Sequence, residues 1–183
     1  MVNLRSRSAC VLLFTIAALW TTTAHADWRL GVGLTTGLDT GELAIDPGGP
    51  AFGAGGHLGY VIDLPLVDVV PELAVSYVRF PGDEIGNAPQ AITSTRFGAR
   101  LELGIPVLSP AVYGHGGYAS LAGEGSDYIL ERSGWSYDVG AALDLTVIPA
   151  MRVGVHATYN AMLPDEKDEV TWTEVGAHVA FEL

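Results

Sequence analysis

The chain has 183 residues, among them 23 glycines and a single cysteine, and its nine basic side chains face 21 acidic ones for a formal charge of −12. That balance repels nucleic acid, and one cysteine cannot build an internal disulfide framework. A mean hydropathy of +0.30 in so acidic a chain implies that charge and apolar surface are kept apart in space.

At the N-terminus, Arg5 and Arg7 precede an apolar run from Cys10 to Trp20, and a short polar stretch then ends in Ala24-His25-Ala26. This is the pattern of a secretory signal with an A-x-A cleavage site. The run is about 11 residues, well short of the roughly 20 that a membrane-spanning helix needs. Residues 1–26 are therefore expected to be removed, leaving one domain over 27–183 that starts at Asp27. Cys10 opens the apolar run, whereas a lipidated cysteine would close it, so it leaves with the signal. Loss of Arg5 and Arg7, with no acid, takes the formal charge to −14.

The remainder holds no run of 18 apolar residues and no long segment with a helical period. It alternates with a period of two in runs of about ten residues, the signature of half-buried or membrane strands. In residues 28–37, Trp28, Leu30, Val32 and Leu34 alternate with Arg29, Gly31, Gly33 and Thr35. Residues 52–64 set Phe52, Leu58, Tyr60 and Ile62 against Gly53, Gly55, His57 and Gly59. Residues 69–78 set Leu73, Val75 and Tyr77 against Glu72, Ala74 and Ser76. Residues 94–105 set Phe97, Ala99, Leu101 and Leu103 against Arg96, Gly98, Arg100 and Glu102. The fifth run, 111–121, is rich in glycine, and Gly114, Gly116 and Gly117 leave its parity open. Residues 135–147 set Trp135, Tyr137, Val139, Ala141 and Leu143 against Ser136, Asp138, Gly140 and Asp144. Residues 151–161 set Val153, Val155, Ala157 and Tyr159 against Arg152, Gly154, His156, Thr158 and Asn160. Finally, residues 171–183 set Val175, Ala177, Val179 and Phe181 against Glu174, Gly176, His178 and Glu182.

Eight such strands are joined by connectors of alternating length. Those after the second, fourth and sixth are short and contain proline (64–68, 106–110, 148–150), whereas the others run to about 9–15 residues, the asymmetry of outer-membrane barrels. The expected fold is all-β: an eight-stranded antiparallel up-and-down transmembrane barrel with both termini on the short-turn, periplasmic side. Closure is required because lipid cannot satisfy an open sheet edge. Phe52, Tyr77, Phe97, Trp135 and Tyr159 near the loop ends, with Trp28 and Phe181 near the other, would form two interfacial girdles. A soluble barrel of lipocalin type also has eight alternating strands, but its water-facing wall would here be built mostly of glycine.

The mature chain resembles the small outer-membrane barrels typified by the OmpA membrane domain, OmpX and the neisserial opacity proteins. The likeness lies in strand count, alternation and loop asymmetry over its whole length, and in Glu174, Gly176, Val179 and Phe181, which match that family's C-terminal assembly signal in order. The resemblance implies an integral outer-membrane location and reading of the last strand by the barrel assembly machinery. Glu182 and Leu183 depart from the pattern by following the aromatic residue that usually ends such chains.

The polar face then belongs to the lumen, where Arg29, Arg96, Arg100 and Arg152 would meet Glu72, Glu102, Asp138, Asp144 and Glu174, with His57, His156 and His178. Unpaired buried charge is costly, so these groups are expected to pair with one another and with water in an interior without an apolar core. The same groups could instead gate a narrow ion path. His156, Thr158, Asn160 and Ala161 distantly resemble the His-x-Ser-Asn-Ala stretch of outer-membrane lipid A deacylases, with Glu169 as a conceivable acid. Threonine replaces serine, however, and His156 and Thr158 would point away from lipid. The histidines show no metal-ligand spacing, and Gly53, Gly55, Gly56 and Gly59 form no phosphate loop.

Twelve acids (Asp39, Glu42, Asp46, Asp83, Glu84, Glu124, Asp127, Glu131, Asp165, Glu166, Asp168 and Glu169) are assigned to the long loops, opposed there by Arg79, Arg132 and Lys167. Such a rim suits a solvated surface facing anionic lipopolysaccharide, with Asp165, Glu166, Asp168 and Glu169 as a weak divalent-cation site. The expected function is non-enzymatic and cofactor-free: envelope stabilisation or surface interaction through acidic loops, with a small channel or carrier as the alternative.

Overall fold

The computed structural model describes residues 26–40, 49–82, 89–105, 107–123, 131–164 and 169–183. Among them are eight strands: β1 (Ala26–Asp39), β2 (Ala51–Ile62), β3 (Val67–Phe80), β4 (Gln90–Leu103), β5 (Leu108–Gly123), β6 (Glu131–Ile148), β7 (Met151–Pro164) and β8 (Val170–Glu182). Each pairs antiparallel with its neighbour in sequence, and β8 returns to pair with β1, so the sheet closes with no free edge.

Strict alternation is what lets one sheet serve two media. Leu30, Val32, Leu34, Leu73, Val75, Leu101, Val139, Leu143, Val155 and Val175 are all exposed on the outside, while Arg29, Glu72, Arg100, Glu102, Asp138, Asp144 and Glu174 are buried within. An apolar coat around a charged interior is the inverse of a water-soluble barrel and fits a hydrocarbon surround. All seven expected girdle aromatics face outward, and Trp28 meets Tyr60 edge to face with ring centroids 5.3 Å apart. Phe97 does not mark a strand end: it sits half-way along β4, opposite Leu73.

The fifth strand resolves its parity through register. Gly98 lies opposite His115 and Arg96 opposite Gly117, so Ala111, His115, Ala119 and Leu121 are buried inside and Val112 and Tyr118 face out. The glycines hid this because Gly114 and Gly116 fall on the outer face, where apolar side chains were expected. Several strands also run past their alternating stretches. Asp39, Arg79, Glu131 and Arg132, assigned to loops from sequence, lie at the loop-side ends of β1, β3 and β6, and Pro110 is the third residue of β5. At the short-turn end the backbone is stitched by Gly104 N–H to Leu66 O (3.2 Å), Glu182 N–H to Ala150 O (3.0 Å) and Leu183 N–H to Trp28 O (2.8 Å).

The expectation of an interior without an apolar core is overturned at one end. Val78, Phe80, Ile92, Leu121, Met162, Val170 and Trp172 form a buried cluster inside the loop-side mouth. The reason is strand length: beyond the charged middle, the inward positions of β3, β4, β5, β7 and β8 carry large apolar residues that meet across the barrel and exclude water.

Two substitutions separate the forces at work. An arginine in place of the outward Val139, mid-way along β6 and 54 % exposed, is expected to cost about 2–4 kcal/mol in lipid vesicles, read from urea unfolding followed by heat-modifiable gel mobility. A soluble barrel would tolerate it. A Cβ on Gly98 would overlap the Gly114 carbonyl and come within 2.6 Å of His115 Cα, whereas nothing lies within 4 Å of one on Gly116. Gly98→Ala is expected to lose about 1–3 kcal/mol by overpacking in the same assay, and Gly116→Ala to be neutral.

Candidate functional site: the charged lumen

Below the apolar cluster, β4, β6, β7 and β8 build an upper polar layer around Arg96. Its Nη1 donates to Asp138 Oδ2 and to Asn160 Oδ1, both at 2.9 Å, and its Nε donates to Ser136 Oγ at 3.2 Å. The guanidinium carbon lies 5.7 Å from the Trp172 ring centroid, which joins this layer to the apolar cluster through a cation–π contact. Glu174 Oε1 accepts from Trp172 Nε1 (2.5 Å) and Asn160 Nδ2 (3.2 Å). His115 bridges two carboxylates, with Nδ1 2.7 Å from Asp138 Oδ1 and Nε2 3.2 Å from Glu72 Oε2.

A lower layer near the short turns is organised by Glu102, whose side chain has no accessible surface. Arg29 Nη1 donates to its Oε1 (2.5 Å), Arg152 Nη1 donates to its Oε2 (2.9 Å), and Arg100 Nε makes an ion-pair contact with Oε1 at 2.5 Å. Arg100 also pairs with Asp144, whose Oδ1 lies in ion-pair contact 2.8 Å from His178 Nε2. Glu182 completes the layer by accepting from Arg29 (2.8 Å) and pairing with Arg152 (2.9 Å).

Four carboxylates (Glu102, Asp138, Asp144 and Glu182) thus share four arginines (Arg29, Arg96, Arg100 and Arg152), while Glu72 is met by His115 and Glu174 by Trp172 and Asn160. Counted over carboxylates and guanidiniums alone, the network has two acids in excess, with His115 set between two of them.

Between the layers, a cavity of about 130 Å³ is lined by His57, His156, His178, Glu72, Tyr113 and Thr158. The rings around it fit because each stands across the ladder from a glycine: His57 from Gly31, His115 from Gly98, Tyr113 from Gly140, His156 from Gly176 and His178 from Gly154. Added Cβ atoms at these glycines would run into the rings, at 2.7 Å for His156 over Gly176 and 2.8 Å for His178 over Gly154. Eight strands enclose an interior only just wide enough for side chains, so large residues need small partners.

In their fold, solved structures provide the comparison. Neisserial surface protein A superposes with a TM-score of 0.64 at 13 % identity, over 87 % of this chain and 99 % of that one. The N-terminal β-barrel domain of Pseudomonas aeruginosa OprF gives 0.53 at 19 % identity, over 87 % and 100 %. Ail, the attachment invasion locus protein of Yersinia pestis, gives 0.55 at 13 %, over 87 % and 99 %. The chain has the fold of an eight-stranded outer-membrane β-barrel. No protein-family profile and no curated protein matches its sequence. None of the three barrels is named for an enzymatic activity.

Within this outer-membrane barrel, the twelve lumen residues named from alternation all face inward: ion pairs or hydrogen bonds link the four arginines, the five carboxylates and His178 into the two layers, and His57 and His156 stand in the cavity between. Sequence reasoning missed His115, Tyr113, Trp172 and Glu182. The first two sit on the strand whose parity was open, Trp172 was hidden by its apolar character at an inward position, and Glu182 was placed on the polar face of the last strand but left out of the lumen network. In the assembly signal, Glu174 and Gly176 face the lumen and Phe181 faces out. The esterase-like residues are not brought together: Thr158 Oγ1 is bonded to Tyr113 Oη (2.5 Å), Asn160 to Arg96 and Glu174, and Glu169 accepts from Tyr137 on the outer wall. Of the suggested rim cation site, Asp165, Glu166 and Asp168 lie outside the described residues.

Glu102 is the residue the lower layer cannot lose. Replacing it with alanine removes the shared carboxylate and leaves Arg29 and Arg152 with Glu182 alone and Arg100 with Asp144 alone, at an expected cost of about 3 kcal/mol, measured as a lower urea midpoint with an unchanged slope.

Proposed function

We propose that this protein is an integral outer-membrane barrel that stabilises the envelope or meets external partners through its acidic loops, and that it is not a conduit. The observation that carries this reading is the filling of the lumen. The apolar cluster around Phe80, Ile92, Met162 and Trp172 closes one end, and Arg29, Glu102, Arg152 and Glu182 close the other. Opening either would break buried contacts worth several kcal/mol.

With the interior occupied, the variable chemistry is left to the long loops. Short turns at one end and both chain termini beside them support a periplasmic placement of that end, with the rim outside. A partner is then expected to be cationic, or to be lipopolysaccharide bridged to the rim by divalent cations held at carboxylates such as Asp165, Glu166, Asp168 and Glu169. Glu174, Gly176, Val179 and Phe181 on β8, the strand that seals the barrel, would be read by the assembly machinery.

Reconstituted into planar bilayers, the purified protein is expected to stay silent at high load. Discrete conductance steps would instead establish a small ion channel. On intact cells, added protease is expected to cut within the long loops and spare the short turns.

A further inference from the structure

Three histidines from three strands meet in the lumen cavity. His57 comes from β2, His156 from β7 and His178 from β8. β1 runs between β2 and β8 and contributes only glycine at this level, with Gly31 beneath the His57 ring and Gly33 beside His178. That clearance lets the His57 and His178 rings approach to 6.1 Å between centroids, and His156 lies 5.3 Å from His178.

The closest approach is Nδ1 to Nδ1, 3.2 Å between His156 and His178. Two imidazole lone pairs cannot face each other at that separation unless a proton or a cation lies between them. A dication about 2.0–2.1 Å from each nitrogen spaces two adjacent ligands by about 2.9–3.4 Å. Asp144 Oδ1 stands 2.8 Å from Nε2 of His178, close but not aligned as a hydrogen bond. A small rotation of the ring would let Nε2–H donate to this carboxylate and leave Nδ1 as the metal donor, the outer-shell arrangement common behind metal-bound histidines.

The geometry points to a transition-metal site in the lumen, in which His156 Nδ1 and His178 Nδ1 chelate one Zn²⁺, Cu²⁺ or Ni²⁺ ion. Imidazole donors select these ions over calcium and magnesium. Among the described residues no three metal-binding side chains already converge on a point, so the shell is completed by water in the cavity of about 130 Å³ or by rotation of His57 across it. The excess of carboxylates over guanidiniums in the surrounding network favours a dication. In the metal-free barrel the same contact is a hydrogen bond between the two rings. This site is independent of the acidic rim, whose oxygen ligands suit hard cations.

The test uses the untagged barrel refolded in detergent and titrated with Zn²⁺ and Cu²⁺. A single ion is expected to bind per chain, with imidazole-nitrogen couplings in the Cu²⁺ electron paramagnetic resonance spectrum and no displacement by excess Ca²⁺. His156→Gln and His178→Gln are each expected to weaken binding at least about tenfold, with heat-modifiable mobility confirming that the variants fold. If they do not fold, the spectrum of the unaltered barrel decides alone. Oxygen-only coordination, displacement by Ca²⁺, or equal affinity in a folded double variant would overturn the assignment.

Discussion

A backbone in hydrocarbon has no water to bond, so every strand needs two neighbours. In this chain that requirement is met by the return of β8 to β1, and most of the barrel's other features are consequences of that closure. Eight strands are few enough that the closed sheet encloses a space of side-chain dimensions. The outer positions must then be apolar, and the inner ones must fill a narrow cylinder without leaving an unpaired charge. Alternation along each strand satisfies both demands at once.

The interior meets its share of the problem in three ways along its length. At the loop side the inward residues are apolar and pack as an ordinary small core. In the middle, rings are accommodated because a glycine faces each one across the ladder, so bulk is placed by register and not by composition alone. Near the short turns, charges are satisfied by sharing: Glu102 serves three arginines, and Glu182 serves two of the same set. The terminal Glu182, a departure from the usual aromatic ending, thus belongs to the layer that closes the barrel's lower end.

A lumen filled in this way separates the protein's two surfaces. The wall is matched to lipid and the interior to itself, and this is what supports the proposal that the long, acid-rich loops carry any interaction with the exterior. The packing relaxes in the cavity between the two polar layers, and it is there that the histidines of β2, β7 and β8 converge.

Much of this was legible in the amino-acid sequence, because a period of two carries its own geometry. Strand number, topology, the inward face of seven strands, and the lumen identity of Arg29, Arg96, Arg100, Arg152, Glu72, Glu102, Asp138, Asp144 and Glu174 all follow from alternation and connector length. The fifth strand did not yield, since glycine carries no hydrophobic label, and only its register against β4 and β6 turns His115 and Tyr113 inward. Nor could alternation say which inward groups meet. That Arg96 lies under Trp172, that His156 faces His178, and that three arginines converge on Glu102 depend on the stagger of strands around a closed cylinder. Parity is a local property of each strand and is written in it. Contact across the lumen is set by the closed sheet as a whole, and only the tertiary structure decides it.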